Sequence, residues 1–250
     1  MPYTVENELT DAGRGILGVA DLLESWLSRA PQGPVAFGSE PAKGAIRALV
    51  AGWGSTILRA LASRPLSLTE LDSVIPDLSY PALERRLSAM RAARQVEAIP
   101  AADSQAKPYT VTAWTRQAVG PLVAAGRCEC EHLAEATEPL TRIDIEAAFL
   151  LAVPLVELPA SASGSFLLAV GNTGGDESVE RLTGVDVRVE GGEVVSCVSR
   201  LEPEPVTWAT GTVDDWARTI LDGRVEGLSL GGADVELART VVERMHVAVA

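Results

Sequence analysis

Between Ser67 and Arg94 the chain reads SLTELDSVIPDLSYPALERRLSAMRAAR, and few folds can accommodate that stretch. Ser67 followed three residues later by Glu70 is a capping-box start, and Pro76-Asp77 forces a turn before the helix can grow long. A second start follows at once: Ser79 is placed as N-cap, and Pro81 falls in the first turn, where a missing N–H costs nothing. Leu83, Leu87, Met90 and Ala93 recur at helical spacing and mark the buried side. Tyr80, Glu84, Arg85, Ser88 and Arg91 share the open face, with Arg86 at its flank. Two short helices joined by a tight turn, the second carrying guanidinium groups outward, are therefore expected.

The flanking segments extend the pattern. Lys43 to Ser63 places Ile46, Leu49, Val50, Trp53, Ile57, Leu58 and Leu61 on one stripe and predicts a single helix, with Gly52 and Gly54 weakening its middle. Downstream, QVEAIP and PYTVT read as two strands joined by the polar AADSQAK, followed by a helix from about Trp114.

Helix, helix, turn, helix, hairpin, helix, with LTELDSVIPDLSYPALERRLSAMRAARQVEA leading into YTVTAWTRQAVGPL, resembles the winged helix-turn-helix regulators of the HxlR type. The resemblance covers about Ala45 to Leu133. Leu68, Leu71, Val74, Leu78-Ser79, Leu83, Arg86-Leu87 and Met90 occupy the family's apolar and basic places. Its usual Gly before the wing is replaced by Ala93 or Arg94, and its T-x-x-G becomes Thr115-Arg116-Gln117-Ala118. The resemblance implies double-stranded DNA as partner, with the helix from Ser79 to Arg91 in the major groove. Tyr80, Glu84 and Arg85 would then lie nearest the base edges, Ser67, Thr69, Arg86 and Lys107 toward phosphates, and Ser79 is counted with them among the DNA-binding residues.

PYTV occurs twice, at Pro2 and at Pro108, each time ahead of a helix start. Tyr3 pairs with Tyr109, Thr10 with Thr115 and Gly15 with Gly120 at one residue of offset, so residues 1 to 30 read as the closing wing strand and terminal helix of a half repeat. A full first unit upstream is one arrangement this allows. By analogy with the family, the helix near Leu9 to Leu27, with Ile16, Leu17, Val19, Leu22, Leu23 and Trp26 on its apolar side, is expected against the helix from Trp114 to Ala136. A homodimer joined through terminal helices follows from the single reading helix per chain.

At 250 residues the chain is long for one core and suits two domains. Net charge is −13 and unevenly spread. Residues 40 to 127 carry eleven Lys and Arg against seven acids, whereas residues 128 to 250 carry eight against twenty-two. Boundaries are placed accordingly: 1–39 the partial repeat, 40–137 the winged helix, and 138–250 an acidic half.

That last half reads as α+β. An apolar helix interrupted by Pro154 precedes GSFLLAVG; a hairpin then turns at Gly191-Gly192, with Val185, Val187 and Val189 alternating before it and Val194-Val195 after it. VTWATGT, a helix capped by Thr212 and stopped at Gly223, VEGLSLGG and a closing helix complete it. The run from Pro205 to Met245 is similar to the end of the sterol-carrier-protein fold. This resemblance implies a five-stranded sheet and helices around an apolar cavity for a hydrophobic small molecule. Apolar positions that could line it are Phe149, Leu155, Phe166, Leu168, Val187, Val195, Trp208, Trp216, Ile220 and Leu230. The fold class expected is mixed: mostly α with a β wing first, α+β after.

Other signals carry no chemistry. Cys128, Cys130 and His132 in CECEH lack a fourth ligand and spread around a helix, so neither metal nor cofactor is expected. GNTGGDE lacks a phosphate loop's Lys, two distant histidines supply no base for a nucleophile, and Asp214-Asp215 suit a helix start. No apolar run reaches the roughly 20 residues of a membrane span. The expectation is a cytoplasmic, non-enzymatic, ligand-responsive regulator; the alternative is a small-molecule sequestering or resistance protein with a vestigial winged helix.

Overall fold

The computed structural model describes residues 8–50, 53–100, 107–132, 140–171, 183–199 and 207–249. Its class is mixed α/β, with one two-stranded and one five-stranded sheet. No helix among the described residues is long and apolar enough to cross a membrane.

Thr10 caps the first helix, α1 (Asp11–Ser28), through its side-chain oxygen and the Gly13 N–H. The predicted helix from Lys43 to Ser63 is two helices, α2 (Glu40–Val50) and α3 (Trp53–Ser63). Close crossing explains the break: a Cβ on Gly54 would lie 2.3 Å from the Ala48 carbonyl oxygen, so only glycine lets the second helix start there. α4 (Leu68–Val74) begins with the expected capping box, Ser67 and Glu70 bonding reciprocally. α5 (Tyr80–Ala92) begins at Ser79, which has the extended N-cap backbone but makes no side-chain cap bond, leaving Pro81 to set the first turn.

Leu83, Leu87 and Met90 are buried along α5, contributing about 1.5–3 kcal/mol each relative to exposure. The helix ends in a Schellman arrangement, in which Gln95 N donates to Met90 O at 2.9 Å and Arg94 N to Arg91 O at 3.0 Å. Arg94 takes the left-handed conformation this needs, φ 58°. Strands β1 (Val96–Ala98) and β2 (Tyr109–Val111) then pair antiparallel, and Leu66 adds a reciprocal backbone pair with Tyr109 on β2's other edge.

The helix expected from Trp114 is split into α6 (Ala113–Arg116), capped by Thr112, and α7 (Val119–His132). α1 packs along α7, as the half repeat predicts. A Cβ on Gly15 would sit 3.0 Å from Cys128 Sγ, so the missing side chain brings the two helices together. The paired residues of the repeat nevertheless have different environments. Thr10 is an exposed cap, whereas Thr115 is buried and donates to Gln95 O at 2.7 Å; Gly120 packs on the Val249 carbonyl rather than on α1. Tyr3 lies outside the described residues.

α8 (Arg142–Ala152) starts with a second capping box, Thr141 and Asp144, and runs into a 3₁₀ turn, Val153–Leu155, at Pro154. β3 (Gly164–Val170), β4 (Thr183–Glu190), β5 (Glu193–Val198), β6 (Thr207–Gly211) and β7 (Ser229–Gly232) form the larger sheet in the order β5-β4-β3-β6-β7. Among the described residues β3 and β6 are the one parallel pair. α9 (Val213–Asp222) has the predicted Thr212 cap and left-handed Gly223 stop, and α10 (Val235–Val249) closes the chain. One contiguous apolar core runs from Trp26 to Val249, because α3 packs on α8 and α7 on α9.

Candidate nucleic-acid face and apolar interior

α5 packs on α4 and β1 through its buried side, and its other side is open. Tyr80, Glu84, Arg85, Arg86, Ser88 and Arg91 are all exposed along it, as is Ser79 at its start. Thr69 and Lys107 are exposed as well. Three guanidinium groups thus share a helix held by an apolar spine, flanked by the two-stranded hairpin. Arg91 lies over the Tyr109 ring, 5.4 Å from its centroid, which ties the end of the helix to the hairpin. An open cleft of about 990 Å³ continues from there, with Ser88, Arg91, Arg94, Glu97 and Thr112 among its lining residues.

Ser67 departs from the expected set. It is buried, and its Oγ donates to Glu70 Oε2 at 2.8 Å while accepting the Glu70 N–H at 3.3 Å. The hydroxyl is committed to the capping box rather than presented outward. Hydrogen bonds from the Ser67 backbone and then its side chain, with Arg64 adding attraction, hold the Glu70 carboxyl below its ordinary value.

The apolar residues expected around a cavity do not share one face. Phe166 pairs with Val187, and Leu168 with Val185 and with Ala209, so these side chains lie on one side of the sheet together with Leu230. Phe149, Trp216 and Ile220 are fully buried, and Phe149 meets Trp216 edge-on at 4.6 Å, the Trp216 indole donating to Ala169 O at 2.9 Å. These groups pack against each other as core. Leu155 is half-buried at the end of the 3₁₀ turn.

Two members fall elsewhere. Trp208 pairs with Leu167, which puts it on the opposite side of the sheet, where it lies over Gly231. Val195 is exposed because the β4–β5 register slips there: Arg188 pairs with Ser196 and Val189 with Val194, leaving Val195 as the extra residue of a bulge. Strand alternation was legible in the sequence; the parallel pairing and the bulge were not.

A polar seam that the sequence reading missed joins the basic and acidic halves. Glu146, buried in α8, accepts from Arg59 Nη2 at 2.9 Å and from Ser199 Oγ. Arg116, the residue after Thr115 on α6, donates to the Leu150 and Ala62 carbonyls. Burial lowers its basicity, with the nearby Cys197 opposing that shift. The Cys197 thiol is itself pushed up to about 12, chiefly by burial. The signal available was a Glu inside the apolar run IDIEAAFLL.

Among the described residues no group of three or more His, Cys, Asp or Glu is arranged to hold a metal ion. Cys128 and Cys130 are free thiols, and Cys130 Sγ accepts the Leu140 N–H at 3.3 Å. No protein-family model matches the chain, and neither does any curated protein.

Proposed function

We propose that this chain is a ligand-responsive regulator that binds double-stranded DNA through a winged helix-turn-helix built from α2 to β2, and a hydrophobic small molecule through a region that includes the acidic half. The observation that carries the reading is the open face of α5. Arg85, Arg86 and Arg91 project from a helix whose other side is fixed by Leu83, Leu87 and Met90, and a two-stranded wing flanks it. Such a rod, about 10–12 Å across with its side chains, matches a major groove about 12 Å wide. The five-stranded sheet with α9 and α10 supports the sterol-carrier-like half of the reading.

The partners follow the geometry. A single reading helix spans one half-site, so a homodimer is the reader we propose. α1 already occupies α7 within the chain, so the dimer surface cannot be α7's face as the family analogy has it. The outward stripe of α1 takes that place, with Leu9, Ile16 and Leu17 exposed by 54%, 57% and 49%.

The test is a titration of duplex DNA at two salt concentrations with wild type, Arg85→Ala and Arg91→Ala. Wild type loses affinity steeply as salt rises, because neutralising phosphates releases counterions, and each variant binds more weakly at fixed salt. Unchanged affinity in both variants removes α5 as the reading element; absence of binding at low salt removes the function.

A further inference from the structure

A pocket of about 320 Å³ opens where α2, α3, α7 and α8 meet. It lies outside the packed interior between the sheet and its helices, and its volume is within the range of small-molecule sites. Leu49, Val119, Leu122, Ile145, Ala148 and Leu151 supply most of its wall. Local chemistry keeps the space shaped. The α2–α3 crossing depends on Gly54, and Gly126 lets Leu140 close over α7, since a Cβ there would lie 2.5 Å from Leu140 Cδ2.

The charge of the wall selects its occupant. Among the described residues Asp144 is the one ionisable group lining the pocket, and no Lys or Arg does. Thr141 N and Oγ1 donate to Asp144 Oδ2 at 2.8 and 2.6 Å, while Oδ1 takes no bond among the described residues. The α8 side of the wall belongs to the acidic segment and the α2, α3 and α7 sides to the basic one, so the local preference for a cation comes from Asp144 itself, exposed at the start of α8. A carboxylate-headed lipid would face Asp144 and find no counter-charge among the described lining residues.

We propose that this pocket binds a small apolar amine, with its ring system against Leu122, Ile145 and Leu151 and its ammonium group at Asp144. The inference rests on the ligand-responsive reading and names that ligand's site and class. Walls drawn from α2 and α3 on one side and α8 on the other place the occupant across the seam between the basic and acidic halves. Binding that differs between two arrangements of those halves is what would make it a signal.

The experiment is calorimetric titration of the full chain, without DNA, using 2-naphthylmethylamine and its carboxylate analogue 2-naphthoate. Methyl NMR shifts of Leu49, Leu122 and Ile145 are followed in parallel. The amine binds wild type and moves those methyls; naphthoate binds at least about tenfold more weakly, as does the amine to Asp144→Asn, in line with loss of a charge-assisted contact. Asparagine at 144 keeps the acceptor that Thr141 uses, and Ala147→Phe, which fills the space from a half-buried position, abolishes binding. Equal affinity for both probes, an unaffected Asp144→Asn, or methyl shifts centred outside the pocket overturns the proposal. So does failure of the amine to bind wild type. Because no DNA is present, that failure leaves the duplex titration untouched, and loss of DNA binding alone leaves this site standing.

Discussion

Trp26 and Trp114 stack face to face, ring centroids 4.5 Å apart and planes 6° from parallel, and each indole N–H donates to the other residue's backbone carbonyl. The donor–acceptor distances are 2.7 Å from Trp26 and 2.9 Å from Trp114. This reciprocal pair locks the end of α1 onto the start of α6, so α1 is bonded into the body of the protein. Trp26→Phe keeps most of the ring and removes one donor, leaving the Trp114 carbonyl short of a buried partner. The expected cost is about 1–3 kcal/mol, read as a lower denaturant midpoint at unchanged slope. An unaltered midpoint would mean that the stack, not the bond, holds α1.

Arg94 is the described non-glycine residue with positive φ, and it sits at the C′ position of the α5 Schellman arrangement. Of Ala93 and Arg94, the two positions the sequence left open, the left-handed backbone falls at Arg94. A side chain in the left-handed region costs roughly 1–2 kcal/mol, partly offset by glycine's greater chain entropy when unfolded. Arg94→Gly is therefore expected to stabilise the protein by about 0.5–1 kcal/mol. Thermal unfolding checks the sign, and a destabilised variant contradicts the strain argument.

What was legible in the sequence is what local chemistry decides. Ser67 with Glu70, Thr212 with Asp215 and Gly223, and the Gly191-Gly192 turn all begin or end elements where their side chains and backbone allow no other choice. What was not legible depends on a second element. The split between α2 and α3 follows from Gly54 meeting the Ala48 carbonyl, and Trp208 faces away from Phe166 because β6 pairs parallel with β3 at Leu167. The exposed residues of α5 were readable from helical period alone, whereas the commitment of Ser67 to its own cap needed the hydrogen bonds.

Cys197 gives a chemical check on the sealed interior. Burial pushes its thiol up to about 12, Arg116 lowering it slightly, and its Sγ donates to Phe149 O at 3.8 Å. At pH 8 about one thiol in ten thousand would be ionised, and only the thiolate reacts. Iodoacetamide on the native protein should label the partly exposed Cys128 and Cys130 and spare Cys197 until denaturant is added. Mass mapping that finds Cys197 alkylated as fast as Cys130 would mean that this interior opens readily.

The Arg59–Glu146 pair tests how the two halves are joined. Glu146 keeps 5% of its side-chain surface and sits on α8, while Arg59 reaches it from α3 with 37% of its own exposed. Arg59→Ala leaves the buried carboxylate with Ser199 as its side-chain partner among the described residues. A fully buried broken pair costs about 3–5 kcal/mol, but water reaches the arginine side, so about 1–3 kcal/mol is the expected loss. The double variant Arg59→Ala with Glu146→Gln separates charge from packing, because a neutral amide no longer needs the cation and can still accept from Ser199. Denaturation midpoints should therefore recover in the double variant. If both variants are equally destabilised, Arg59 stabilises through the contacts of its methylene chain, and the seam between the halves is held by apolar packing of α3 on α8 rather than by the ion pair.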